Sequence, residues 1–402
     1  MKARDYLIGL ITTQIQRTRL LLSCVFLLFL VGSGCSRPYS SPQVSVVLPP
    51  NGSTRFDGLI DLATPDAKIM WTHGVCRTGY AWVRSRTALI MASLGPSASV
   101  TDGPTRSYSV DNVPNRLIAY NKIFRQEADG KSRVLSVYFL VWSSMMDRSR
   151  LALRYDWENE YKHASLNRTL KRFFDECLVD AVVYLGAKGP KIRSAMQQAI
   201  KDAVADPVGG RVTDGLGFVS ESLGSKIMAD SIVAAAQDLV KHVAKARAFF
   251  MIANQIPLED QADDDDTGPA EGRSGVGGTQ LPDRNSSALA RMLVKIRAAR
   301  SEQLTSRRPD DKITVVAFSD PNDVLSQDLK SEFVRDPNAH VLNVTVSNAP
   351  TYAGWLEMPD AAHCGYGGNQ QVINMVVTGS ADRGETVPGD VLAFSCIPAD
   401  RE

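Results

Sequence analysis

The sequence predicts an α/β protein built on a doubly wound, mainly parallel sheet with insertions. Short apolar runs of the kind buried on both faces of a parallel sheet occur at residues 68–72, 134–142, 249–253 and 313–318. Stretches of helical periodicity lie between several of these runs, and this alternation is typical of sheets covered by helices on both faces. We expect one large domain of this class, with two domains as the alternative.

The N-terminus of the 402-residue chain has the features of an export signal. Basic residues precede an apolar run at residues 20–31, which is short for a membrane span but long enough for a signal-peptide core. Small residues lead from this run to Cys35. This exit resembles the lipobox of bacterial lipoproteins, although Gly32 stands where that motif usually has Leu. We expect residues 1–34 to be removed and Cys35 to carry a lipid, with an uncleaved anchor as the alternative.

The rest of the chain divides by composition. Residues 35–60 are rich in Ser, Pro and Gly and are predicted to form a tether, followed by the α/β domain at residues 61–402. Within the domain, the polar stretches 84–133 and 259–287 are predicted to be insertions. The second holds four consecutive aspartates, but it lacks the ligand order of an EF-hand, so we interpret it as a solvated loop rather than a calcium site.

Charge and cysteine usage exclude some partners. The formal net charge is +1, and removal of the signal, with four basic residues and one acidic residue, leaves about −2, which gives no indication of nucleic-acid binding. The cysteine spacing matches no zinc motif, and nothing in the sequence indicates a cofactor or a metal. Four cysteines follow Cys35 in the chain, namely Cys76, Cys177, Cys364 and Cys396. A disulfide between Cys76 and Cys364 is conceivable, and free buried thiols are equally compatible with the sequence.

Ser222 is the candidate nucleophile. An apolar run at residues 216–219 stops at the cluster Ser220, Glu221, Ser222, Leu223, Gly224, and a long helical pattern follows at once. A sharp strand-to-helix turn presents the side chain at its apex and requires small neighbours, which Ser220 and Gly224 supply. This pattern predicts that Ser222 attacks a carbonyl carbon.

A serine nucleophile needs a histidine base, and the base needs an acid that fixes its tautomer. Among five histidines, His363 is favoured because it lies in a loop of small residues and follows Ser222 in the chain; a surface histidine is the alternative. The acid should follow the strand at residues 313–318. Asp320 and Asp323 are both candidates there, and we favour Asp323 because Asp320 suits a turn cap before Pro321.

The oxyanion of a tetrahedral intermediate needs backbone donors. The N–H of Leu223 at the start of the helix is one candidate. The N–H of Val75 is the other, because Gly74 lets the backbone of this turn come close to a substrate. His73 then has a structural role within the loop.

These motifs together resemble the α/β-hydrolase fold superfamily, in which an oxyanion His-Gly, a nucleophile, an acid and a histidine follow in this order. The similarity spans residues 68–377, and Ser220 replaces the first glycine usual at the turn. The resemblance implies a serine hydrolase of the esterase or lipase kind, with a small-molecule or lipid ester as substrate. The lipobox-like N-terminus implies that this hydrolase is tethered to a membrane and faces the periplasm of a bacterial envelope, with the outer membrane as one option.

Two alternatives stay open. The fold also serves non-catalytic binding or scaffold proteins, and fold alone never excludes that role. The same serine chemistry also serves acyltransferases and peptidases, and nothing in the sequence separates these from an esterase. The sequence does not indicate an oligomeric state.

Overall fold

A nine-stranded sheet organises the part of the chain that the computed structural model describes. The described residues are 41–50, 52–109, 116–128, 130–157, 164–207, 215–260, 287–303, 312–334, 336, 338–349, 357 and 359–382. The strands are β1 (Gln43–Leu48), β2 (Asp66–Thr72), β3 (Ala98–Ser109), β4 (Arg116–Ala128), β5 (Lys131–Val141), β6 (Leu216–Glu221), β7 (Ala246–Ile252), β8 (Ile313–Ser319) and β9 (Ala339–Thr345).

Helices connect most of these strands. They are α1 (Leu59–Leu62), α2 (Tyr80–Leu94), α3 (Asp147–Trp157), α4 (Ser165–Phe173), α5 (Val179–Leu185), α6 (Gly189–Ala205), α7 (Gly224–Val233), α8 (Gln237–Val243), α9 (Ile256–Glu259), α10 (Ala288–Gln303), α11 (Ser331–Val334), α12 (Pro359–Cys364) and α13 (Gln370–Thr378). Two short 3-10 helices, Ser143–Met146 and Gly365–Gly368, and a π-helical turn, Phe174–Leu178, complete the set of helical segments in the described ranges.

The strand order is β1-β9-β8-β7-β6-β2-β5-β4-β3. The six strands from β9 to β5 run parallel, whereas β1 at one edge and β4 and β3 at the other are antiparallel to their neighbours. Helices cover both faces, so the predicted doubly wound, mainly parallel class is confirmed, and the arrangement is consistent with an α/β-hydrolase-like fold. In such sheets the carboxyl ends of the strands meet at one edge, where ligands bind.

Two apolar layers hold the helices to the sheet, because successive side chains of a strand point to opposite faces. On β2, Met70 contributes to one layer and Ile69 and Trp71 to the other. The first layer includes buried residues of α6, α7, α8 and α10, and the second includes those of α1, α2 and α13. The central strands are therefore buried on both sides, which explains why each reads as a continuous apolar run.

The stretch at residues 84–133, predicted to be a polar insertion, is part of the sheet. It contains most of α2 and the strands β3 and β4, which extend the sheet beyond β5. β3 alternates between exposed and partly buried residues, because one face of this edge is solvated. Because β3 contains many polar residues, its sequence did not indicate a strand.

The predicted tether at residues 35–60 also contains part of the folded domain. β1 lies within it and pairs antiparallel with β9, from Gln43 opposite Thr345 onward. An edge pairing of this kind has no sequence signature, because it is decided by the partner strand.

Several N-terminal and loop predictions fall outside the described residues. These are the signal at residues 1–34, the lipidation site Cys35, and most of the predicted insertion at residues 259–287. Among the residues that are described, no helix is both long and apolar enough to cross a membrane.

Candidate active site

Ser222 lies in the turn between β6 and α7, at the carboxyl end of the central strands. Its φ of 52° is in the left-handed region, which a residue with a side chain adopts only under constraint. The Ser222 N–H donates to the carbonyl of Ile252 on β7 at 2.7 Å, which ties the turn to the neighbouring strand. The hydroxyl of Ser220 is hydrogen-bonded inside the turn, 3.1 Å from Ser225 Oγ and 3.3 Å from the Phe250 carbonyl oxygen.

The structure brings Ser222, His363 and Asp323 together in one hydrogen-bonded chain. Ser222 Oγ lies 2.9 Å from His363 Nε2, and His363 Nδ1 lies 2.9 Å and 3.0 Å from the two carboxylate oxygens of Asp323. All three side chains are buried. Because the carboxylate accepts a hydrogen bond from the protonated Nδ1, Nε2 is left as the acceptor for the serine hydroxyl.

Asp323 is held in its ionised form. Burial alone would raise the pKa of its carboxyl, but the charge and hydrogen bond of His363 and the N–H of Leu325 outweigh burial and lower the pKa below its ordinary value. A carboxylate that stays charged stabilises the imidazolium formed when His363 takes up a proton.

Asp320 has a different position. Its carboxylate accepts the backbone N–H of Asn322 at 2.9 Å and that of Asn348 at 2.6 Å, so it caps the turn after β8. The Asp320 N–H donates to the hydroxyl of Tyr366, which lies three residues after His363. This turn therefore fixes the acid-bearing loop against the segment that carries the base.

The loop after β2 packs directly against the Ser222 turn. A Cβ on Gly74 would lie 2.5 Å from Ser222 Cβ and 2.8 Å from the Glu221 carbonyl oxygen. A Cβ on Gly224 would lie 2.4 Å from the His73 carbonyl oxygen. Such distances are shorter than any ordinary contact, so both positions need glycine for the two turns to touch.

Two backbone N–H groups at this contact are candidates for an oxyanion site. Among the described residues, neither the N–H of Val75 nor that of Leu223 donates a hydrogen bond to a protein group. Val75 follows the glycine that touches Ser222, and Leu223 caps the start of α7, where the helix dipole favours negative charge. These are the two N–H groups that the sequence predicts as oxyanion donors, and their role stays a prediction.

His73 is buried and orients the Val75 peptide. Its Nε2 lies 3.0 Å from the Trp142 N–H and accepts from it, so Nδ1 carries the proton and donates to the Gly74 carbonyl at 2.7 Å. In a trans peptide the C=O and N–H point in opposite directions, so this bond also sets the direction of the Val75 N–H. Burial lowers the pKa of His73 to about 3, which keeps the ring neutral.

A disulfide joins Cys76 to Cys177, which corrects the pairing of Cys76 with Cys364 considered from the sequence. Cys364 is disulfide-bonded as well, so the free-thiol alternative is wrong for these three cysteines. The bond attaches the loop that carries Val75 to the π-helical turn between α4 and α5. Sequence spacing could not reveal it, because 101 positions separate the two cysteines.

Glu221, next to the candidate nucleophile, anchors a second buried network. Arg86 Nε and Nη2 each donate to its carboxylate at 2.7 Å, and the indole N–H groups of Trp71 and Trp82 donate at 2.9 Å and 3.2 Å. Arg86 Nη1 also donates to the Gly367 carbonyl at 2.9 Å, just beyond the helix that carries His363. One guanidinium therefore links the nucleophile turn to the base segment, a role that no sequence signal indicated.

A cleft opens at Ser222 and is lined in part by Val75, Thr78, Ile252, Ala253, His363 and Tyr366. Ala253, like Ser222, has a positive φ, of 53°, so strained backbone is concentrated here. Within the described ranges, no three residues of the His, Cys, Asp and Glu types are grouped so that they could hold a metal ion. The chemistry available at this cleft is that of a base-activated hydroxyl beside two N–H donors.

No model of a known protein family matches the chain. No curated protein matches it significantly either. Among solved structures, the chain is similar to a protein of Lactobacillus plantarum WCFS1 described as a "putative cell surface hydrolase". The match has 13% sequence identity and a TM-score of 0.30, and it covers 82% of this chain and 96% of that chain. A likeness this distant leaves the chemistry of the chain to be argued from the site itself.

Proposed function

We propose that this protein is a serine hydrolase that cleaves a carboxylic ester through Ser222, His363 and Asp323. The observation that carries the proposal is the buried hydrogen-bonded chain from Ser222 Oγ through the His363 ring to the Asp323 carboxylate. A nucleophile, a base within hydrogen-bond reach and a group that orients the base are the arrangement that activates an alcohol for attack.

The reaction proceeds in two halves. His363 Nε2 takes the Ser222 proton as Oγ bonds to the ester carbonyl carbon, and the carbonyl electrons move to its oxygen, which the N–H groups of Val75 and Leu223 stabilise. The intermediate collapses by breaking the bond to the alcohol oxygen, and that oxygen takes the proton from His363. Water, deprotonated by His363, then attacks the acyl-enzyme and releases the acid and Ser222.

A fluorophosphonate probe tests the nucleophile, because such probes form a covalent bond only with an activated serine. The wild-type chain should be labelled and Ser222→Ala should not. Ser231→Ala is the matched control, because Ser231 is buried in α7 and its hydroxyl donates to Ile227 within the helix, away from the cleft. Equal labelling of wild type and Ser222→Ala would overturn the assignment, and an unlabelled wild type would favour the scaffold alternative.

Ester hydrolysis and acyl transfer share the acyl-enzyme and differ in the acceptor. Product analysis of a short-chain aryl ester in water with a competing alcohol separates them. Release of the free acid at a rate independent of the alcohol supports a hydrolase, whereas formation of the new ester as the main product supports a transferase. A series of acyl-chain lengths in the same assay defines the substrate class.

The proposed location is the bacterial cell envelope, with a lipid on Cys35 as the membrane attachment. The support is the sequence of the N-terminus, where an apolar run ends in small residues before the cysteine. Metabolic incorporation of a palmitate analogue should occur in the wild type and be lost in Cys35→Ser. Incorporation that persists in that variant contradicts the proposal.

A further inference from the structure

Cys76, the residue after Val75, is held at all of its polar groups by segments from outside the loop. Its φ is 79°, in the left-handed region, where a residue with a side chain persists only if its surroundings impose the conformation. Its N–H donates to Asp180 Oδ2 at 2.9 Å, and its carbonyl accepts from Arg150 Nη2 at 3.0 Å. Its sulfur is bonded to Cys177. We call Asp180, Arg150 and this disulfide the loop clamp.

The two charged members of the loop clamp neutralise each other inside the protein. Asp180 is fully buried and Arg150 nearly so. Arg150 Nε and Nη2 lie 3.1 Å and 2.5 Å from the two carboxylate oxygens, an approach through two parallel donors that fixes both side chains. The pair therefore presents a rigid acceptor and a rigid donor to the Cys76 peptide groups.

The loop clamp also reaches the other side of Val75. Arg150 Nη1 donates to Ser143 Oγ at 2.9 Å, and the Ser143 N–H lies 3.2 Å from His73 Nε2. His73 in turn holds the Gly74 carbonyl. The peptide unit that contains the Val75 N–H thus lies between Cys76 and His73, and Arg150 is hydrogen-bonded to the first directly and linked to the second through Ser143.

We propose that Asp180, paired with Arg150, is a positioning residue that holds the Val75 N–H in the direction an oxyanion requires. The inference rests on the proposed function and adds that Asp180 and Arg150 affect turnover through the Cys76 peptide. Oxyanion donors contribute only when they are already oriented at the position where charge develops. A loop that relaxes at Cys76 should therefore slow the chemical step and leave substrate binding nearly unchanged.

The protonation state of Asp180 should affect this function. Burial raises the pKa of its carboxyl to about 6, although Arg150 opposes the shift. The charged groups that act on it are Arg150, Asp147 and Lys188. As the pH falls through about 6, Asp180 is neutralised and Arg150 loses its counter-charge, which should loosen the Cys76 peptide.

The experiment compares full-length wild type with Asp180→Asn and Arg150→Lys in ester hydrolysis, from pH 5 to 8. For Asp180→Asn we expect kcat to fall roughly 10- to 100-fold with KM little changed. Its activity should also depend less on pH near 6, because Asn does not titrate. Arg150→Lys, which keeps the charge but not the paired donors, should have an intermediate kcat.

Asp238→Asn is the matched control, because Asp238 forms an exposed ion pair with Lys201 at 2.7 Å, and it should behave as wild type. A folded Asp180→Asn protein with the kcat and pH profile of wild type overturns the inference. If that variant does not fold, Arg150→Lys decides, and an unchanged kcat overturns it. If the wild type shows no Ser222-dependent turnover or labelling, the proposed function fails and this inference fails with it.

Discussion

The two halves of the candidate site are held in different ways. Ser222 and Asp323 follow the ends of the parallel strands β6 and β8, and His363 lies in a helix near the same edge, so the sheet itself brings this half together. The other half, with the proposed oxyanion donor Val75, also follows a strand, β2, but the neighbouring Cys76 is held by Asp180 and Cys177, which belong to helical segments packed on the sheet. The position of Ser222, the proposed nucleophile, is therefore set by the sheet, whereas that of the Val75 N–H is set by the sheet and by these helical segments together.

The largest expected effect is on the half of the site that contains Ser222, His363 and Asp323. Asp323→Asn should lower kcat about 10⁴-fold, because an amide leaves His363 without the charge and the tautomer that the base needs. Asp320→Asn should retain most of the activity, since its side-chain oxygen can still cap the turn at Asn322. The measurement is kcat on a short-chain aryl ester. Equal losses in the two variants would contradict the division of roles between these aspartates.

Arg86→Met should affect the same half of the site by lowering the free energy of unfolding. The change leaves the largely buried Glu221 carboxylate without its guanidinium partner, and breaking a buried ion pair in this way costs about 3–5 kcal/mol in the free energy of unfolding. Arg84→Met, at an exposed position on the same helix, should leave the free energy of unfolding unchanged. Urea unfolding of the two variants measures the difference. A similar midpoint for both would show that the network around Glu221 is not needed for the fold.

Gly74→Ala tests the contact between the two halves. Its Cβ would come within 2.5 Å of Ser222 Cβ, so the loop must move and Val75 should be displaced. We expect kcat to fall about 100-fold, as for the loss of one oxyanion donor. Gly79→Ala is the control from the same loop, because a Cβ there has no atom within 4 Å. Activity in Gly74→Ala that equals that of Gly79→Ala would argue against Val75 as a donor.

The smallest expected effect concerns His73 and the pH dependence of stability. Its pKa is 6.5 in the unfolded chain and about 3 in the folded protein, so between these values the unfolded state binds a proton that the folded state does not. Stability therefore falls as the pH drops below about 6.5, by roughly 2 kcal/mol at pH 5 from this residue.

Urea unfolding of wild type and His73→Asn at pH 7.5 and pH 5 isolates this contribution. The variant should lose less stability between the two pH values than the wild type does, whatever its stability at pH 7.5. His242→Gln, which removes an exposed imidazole on α8, is the control and should follow the wild type. Identical pH dependence in wild type and His73→Asn would show that the buried imidazole is not the acid-sensitive group.

Much of the parallel core could be predicted from the sequence. The runs that became β2, β5, β7 and β8 are apolar on both faces, and this property is local to each strand. The strands at the edges of the sheet could not be predicted in the same way. β3 alternates between exposed and partly buried residues, and β1 pairs with β9, a strand far along the chain. Strand pairing at an edge is a long-range property that a single segment does not encode.

The candidate site also has features that the local sequence predicts and features that depend on long-range contacts. The sequence by itself determined the strand-turn-helix around Ser222, the glycines beside it and the chain order of serine, acid and histidine, because small residues and apolar runs act locally on the backbone. Only the tertiary structure decided that Asp323 rather than Asp320 contacts His363, and that Cys76 pairs with Cys177 and rests on Asp180. These contacts join residues 40 to 104 positions apart, and their geometry exists only when the sheet and its attached helices have folded.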